Sequence, residues 1–137
     1  MTIVSNKALA LALVALTAGC GGDDLPPGPP PGPSGPGLLA VVLETPNSND
    51  GALLLRLSGG RMDSLRVSQL TLLTANNGTN ERRVMLAGNI GAGVVLRFWV
   101  PERGDLAGYS VVLEQVATRT IYVQQPLDGY SLSVKVD

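Results

Sequence analysis

The 137-residue chain contains no histidine and only one cysteine, Cys20. Without histidine, neither a Ser-His-Asp nor a Cys-His arrangement can be assembled. A lone thiol forms no internal disulfide, and the usual zinc and copper ligands are missing, so no metal site and no cofactor is expected. Aromatic residues are also scarce, with one Trp, one Phe and three Tyr, so any stacking surface must rest on very few side chains. Charge of either sign is sparse. From Leu38 to Asp137, nine Lys and Arg stand against nine Asp and Glu, which leaves no basic field to attract nucleic acid. An apolar run of membrane-spanning length, about 20 residues, is absent as well.

The chain does have a strongly patterned beginning. Lys7 and the amino terminus give a positive start, Ala8 to Leu16 is an unbroken apolar helix-forming run, and Thr17, Ala18 and Gly19 supply small side chains before Cys20. This is the physical pattern of an export signal, with an apolar stretch too short to span a membrane. Leu16-Thr17-Ala18-Gly19-Cys20 resembles the lipobox of bacterial lipoproteins, with Thr17 where leucine is commonest. The resemblance implies cleavage before Cys20, acylation of its thiol and new amino terminus, and attachment to a lipid bilayer in the bacterial cell envelope, because two or more acyl chains give stable anchoring where one does not. Gly21 and Gly22 follow Cys20 in place of the aspartate associated with inner-membrane retention. For a Gram-negative source, the resemblance therefore implies the outer membrane.

Residues 20–37 read as the lipidated cysteine followed by a disordered tether. Seven of the ten prolines fall between Pro26 and Pro36, removing backbone donors and barring both helix and sheet. In an extended conformation of about 3.1 Å per residue, Gly21 to Gly37 would reach roughly 50 Å. The tether is thus long enough to hold a domain clear of a lipid surface.

The remaining 100 residues, 38–137, form one domain's length. Tyr130, Leu132, Val134 and Val136 alternate with polar residues, and Val94, Leu96, Phe98 and Val100 alternate with Val95, Arg97 and Trp99, each a period-two strand with one buried face. Similar runs occur at Leu38 to Glu44, Ala52 to Ser58, Leu65 to Thr74, Arg83 to Ala87, Tyr109 to Val116 and Thr120 to Gln124, giving eight predicted strands. Turn signals separate them at Asn47 to Gly51, Gly59-Gly60, Asn76-Asn77-Gly78, Gly88 to Gly93, Pro101 to Gly104 and Asp128-Gly129. Leu65 to Thr74 and Asp105 to Val116 also admit a helical reading, but their branched and aromatic residues favour strand. The expectation is a single all-β, antiparallel Greek-key sandwich, similar to immunoglobulin-like and cohesin-like domains.

Candidate chemistry is thin. The acids Glu44, Asp50, Asp63, Glu81, Glu102, Asp105, Glu114 and Asp128 lie mostly at predicted turns and strand ends, where solvated carboxylates are the rule, so a glycosidase-like carboxylate pair is not expected. Glu114, inside a strand, stands apart. Gly88 to Gly93 lacks the Gly-Lys-Ser/Thr ending and following helix of a phosphate loop and reads as a hairpin connection. Asn47 to Gly51 superficially resembles a calcium loop, but Pro46 stands at the first ligand position. Arg103-Gly104-Asp105 is the adhesion tripeptide and also ordinary turn chemistry. Asn77-Gly78-Thr79 matches a glycosylation acceptor that an exported bacterial protein would not normally present to that machinery.

Trp99 is the main surface candidate. With Phe98 inward, alternation turns Trp99 outward beside Val95 and Arg97, where indole and guanidinium can form a flat patch. The alternative, of equal weight, is that a neighbouring loop or the tether covers the indole, or that both faces of a sandwich-edge strand are partly buried. The sequence leads to a lipid-anchored, extracytoplasmic, non-catalytic binding or structural module. Its partner is an envelope protein or a glycan, the latter in the alternative reading of a carbohydrate-binding module, which exposed Trp99 and Tyr122 favour.

Overall fold

The computed structural model describes residues 28–76 and 80–137. The signal-like segment, Cys20, the first part of the tether and Asn77-Gly78-Thr79 lie outside the described residues. The folded unit spans Pro31–Asp137 and is an antiparallel β-sandwich. Its strands are β1 (Gly37–Glu44), β2 (Asp50–Ser58), β3 (Asp63–Arg66), β4 (Thr71–Asn76), β5 (Glu81–Ile90), β6 (Gly93–Val100), β7 (Ser110–Thr118), β8 (Gln124–Gln125) and β9 (Ser131–Val136). One sheet has the order β3-β6-β1-β9 and the other β4-β5-β2-β7-β8.

The core follows from the alternation. Leu39, Val41 and Leu43 of β1 face Leu53, Leu55 and Leu57 of β2, Val84 and Leu86 of β5, and Phe98 and Val100 of β6 within one buried cluster. Tyr109 packs against Phe98, with ring centroids 5.7 Å apart, and donates its hydroxyl to the Arg61 carbonyl at 3.1 Å. Leu132, Val134 and Val136 of β9 also pack on this core but stay only partly buried, because β9 is an edge strand.

The strand count differs from the sequence reading where the chain changes sheets. Leu65 to Thr74 is not one strand: β3 belongs to the first sheet and β4 to the second, and Gln69, at φ 59°, lies in the link between them. Thr120 to Gln124 shrinks to the two-residue β8, since Tyr122 adopts a left-handed φ of 52° inside a turn. Gly88 to Gly93 is not a hairpin but an arch that carries β5 of one sheet into β6 of the other. Strands β2-β5-β4 and β3-β6 keep the B-E-D and C-F order of the immunoglobulin sandwich. However, β7 stands beside β2 where the first strand would be, and β1 stands beside β6 where the last would be.

Irregularities sharpen this frame. A register shift at Val41/Val42 leaves Val95 as an extra residue on β6. The bulge turns Val95 inward, 5% exposed and in the core, and leaves Val94 outward at 43%, reversing the strict alternation read from the sequence. Gly51 is required at the start of β2, where any Cβ would collide with the Arg119 backbone.

The tether's last residues are held against the domain. Glu102 accepts the Gly35 N–H at 2.7 Å and the Gly104 N–H at 2.8 Å. The Arg103 N–H reaches the Gly35 carbonyl at 2.9 Å, and its guanidinium reaches the Ser34 carbonyl at 3.2 Å. β1 accordingly begins at Gly37, one residue earlier than the sequence suggests.

Candidate functional site

The outer face of the five-stranded sheet is organised in cross-strand rows that only the register reveals. Leu73, Met85, Leu54 and Gln115 stand side by side across β4, β5, β2 and β7. The next row is Thr71, Ala87, Ala52, Ala117 and Gln124, reaching β8. Three consecutive alanines beside a row of long side chains leave a trough. One hollow in it has a volume of about 230 Å³ and is lined by Ala52, Leu54, Met85, Ala117, Tyr122 and the glutamines Gln115 and Gln124. A neighbouring hollow of about 330 Å³ continues past Met85 to Leu73 and Arg83.

The turn between β7 and β8 makes the lip of the trough. It is closed by the Thr118 N–H donating to the Val123 carbonyl at 2.9 Å and the Val123 N–H donating to the Thr118 hydroxyl at 3.1 Å. The left-handed backbone at Tyr122 pushes three apolar residues into solvent, with Ile121 72%, Tyr122 65% and Val123 48% exposed. Such a contiguous apolar surface marks a binding face more often than an incidental exposure.

A third row carries the charges. Arg83 and Arg56 stand directly opposite each other on β5 and β2, an arrangement that is unfavourable for like charges. Glu114 lies between them at 3.2 Å from Arg83 and 3.4 Å from Arg56, placed there by the register shift at Leu54/Leu55 that makes it the extra residue of β7. Its carboxylate bridges the pair and offsets one of the two positive charges, and the trough itself has an uncharged lining.

The residues singled out in the sequence scatter. Val95 joins the core, as described above. Arg97 pairs with both oxygens of the Asp137 side chain at 2.9 Å, so its guanidinium is turned to a carboxylate. Trp99 is partly buried, with Leu38 of β1 and Asp63 of β3 opposite it. The proposed face of Val95, Arg97 and Trp99 is therefore reduced to two outer residues. Trp99 and Tyr122 are not brought together either, since β6 belongs to the other sheet. In the adhesion tripeptide, Arg103 folds back over Gly37 and Ser34, so its guanidinium and the Asp105 carboxylate are not displayed as a pair.

The calcium-like loop has a different purpose. Asp50 is fully buried, contrary to the solvated surface expected of it. Its oxygens accept the Tyr130 hydroxyl at 2.7 Å and the Thr45 hydroxyl at 2.6 Å, while the Asn47 amide donates to the Tyr130 oxygen at 2.7 Å. Burial, together with the bond to Asp50, raises the Tyr130 phenol above its ordinary value. Among the described residues no group of three or more Cys, Asp and Glu side chains converges.

Sequence reasoning missed Ala52, Ala87 and Ala117, because nothing in a single strand says that three alanines will align. A signal for the apolar row did exist: Leu53-Leu54-Leu55 and Leu72-Leu73 break the alternation, which implies apolar residues on both faces. No protein-family model matches the chain, and comparison with curated proteins and with solved structures gives no match either.

Proposed function

We propose that this chain is a lipid-anchored, extracytoplasmic binding module of the bacterial envelope, without catalytic activity, that takes its ligand along the alanine trough. Anchoring rests on the lipobox-like Leu16 to Cys20 and the proline-rich spacer behind it. The observation that carries the binding reading is the trough itself: an uncharged hollow lined by Ala52 and Ala117, by Leu54 and Met85, and by the exposed Tyr122. Hollows of this kind, apolar with a few polar groups at the rim, suit a ligand better than bare sheet does.

A glycan is the second reading, favoured by one observation. Tyr122 offers an aromatic face beside the Gln115 and Gln124 amides, and a phenol ring with neutral hydrogen-bonding groups complements the apolar face and hydroxyls of a neutral sugar.

Two experiments test the proposal. In the native envelope, metabolic palmitate label should enter the wild-type chain and be lost in Cys20→Ser; label that persists rejects the anchor. Binding of the chain to envelope fractions and to a glycan array should fall at least tenfold in Ala117→Leu, which fills the trough, and be unchanged in Lys135→Ala on the other sheet. Equal behaviour of the two variants rejects the trough as the site.

A further inference from the structure

The four sheet edges are not alike. β3 is four residues long, carries Asp63 and Arg66, and is distorted at Ser64, where φ is 48°. β8 has two residues and runs into Pro126, and β9 carries Lys135 and lies against β7 and the Arg103–Gly108 segment. Each is protected by a familiar device: shortness, charge, distortion or cover. β4 has none of these. Thr71-Leu72-Leu73-Thr74-Ala75-Asn76 contains no charge, proline or glycine, and among the described residues nothing pairs with its outer side. Leu73 is 60% exposed and adjoins the exposed Met85.

We propose that β4 pairs with β4 of a second copy, antiparallel about a two-fold axis at Leu73. Opposed residues in an antiparallel pair point to the same face, so the register must match outward with outward positions. Centring on Leu73 does so, setting Leu73 against Leu73, Thr71 against Ala75 and Leu72 against Thr74. The apolar row then runs unbroken from Leu54 through Met85 and Leu73 into the same three residues of the second copy. Charge agrees with this partner: the seam is neutral, and the nearest cations, Arg83 of each copy, fall on opposite sides of the axis. An acidic or basic peptide would find no counter-charge on the strand itself.

The two-fold axis lies perpendicular to the sheet, so both troughs open on one face, and ligand sites on a common support would be engaged together. A pair of six-residue strands is a small contact, and small interfaces are typically transient, so the dimer is expected to be reversible, with a dissociation constant between about 1 μM and 1 mM.

Sedimentation equilibrium of the full chain in density-matched detergent, from micromolar to about 1 mM, tests this directly. The expected result is a monomer–dimer equilibrium that weakens at least tenfold in Leu73→Lys, where two ammonium groups would face each other. It should be unchanged in Val112→Lys, an exposed position on the same face but away from the edge. A chain that is monomeric throughout, a dimer indifferent to Leu73→Lys, or open-ended assembly without a dimer limit each overturns the proposal. Far-ultraviolet circular dichroism of both variants verifies that they are folded.

Discussion

Tyr130 donates its hydroxyl to the fully buried Asp50 at 2.7 Å, joining the chain entering β9 in one sheet to the first residue of β2 in the other. Thr45 completes the contact from the end of β1. A buried carboxylate needs such partners, because leaving it short of a hydrogen bond costs the desolvation of the group. Tyr130→Phe should therefore destabilise the domain by about 1 to 3 kcal/mol in urea unfolding, although only one oxygen is removed.

The same pair sets an alkaline limit. Because the Tyr130 phenol is raised in the folded state by burial and by Asp50, its contribution is fully present below the unfolded value of 10.0 and is lost as pH rises through the folded one. Stability measured from pH 9 upward should fall more steeply in the wild type than in Tyr130→Phe. Parallel curves would mean that the phenol does not titrate as the contact requires.

Glu102 works in the opposite sense at the tether. The N–H groups of Gly104 and Gly35 hold its carboxyl below the ordinary value of 4.5. A lowered folded value means that the clamp is complete above 4.5 and is lost as pH falls through the folded value. The Gly35 amide resonance should report a transition below 4.5 that is absent in Glu102→Gln; a transition at or above 4.5 would contradict the clamp.

Core and surface leucines should separate cleanly. Leu55 is fully buried and Leu73 is 60% exposed, so Leu55→Ala should cost about 2 to 5 kcal/mol and Leu73→Ala no more than about 0.5 kcal/mol in denaturant unfolding. Leu132→Ala belongs between them, since β9 leaves that side chain only partly buried.

Tyr122→Ala tests the lip of the trough. The side chain is 65% exposed, so its loss should leave stability within about 0.5 kcal/mol while weakening retention on envelope fractions. An unfolding midpoint that drops as far as in Leu55→Ala would show that the turn serves the core.

Much of the fold was legible because a strand with one buried face writes its period directly into the chain: Leu132, Val134 and Val136, or Leu96, Phe98 and Val100, need no partner to be recognised. What failed was local. Leu65 to Thr74 has continuous strand propensity, yet Gln69 turns the chain from one sheet to the other. Propensity carries no information on which sheet a residue joins. Val94 and Val95 exchanged faces because a single bulge inverts parity, and a bulge depends on the partner strand's register.

The amino-acid sequence by itself determined the all-β class, the near-neutral domain and the absence of histidine from the chain and of cysteine from residues 38–137, since these depend only on residue type and short-range period. Tertiary structure alone decided that Asp50 is buried and satisfied, that Glu114 bridges two arginines, and that Ala52, Ala87 and Ala117 align in one cross-strand row. Each of these joins residues from separate strands whose neighbours are set by sheet order and register, and those are fixed only when the two sheets bury a common core.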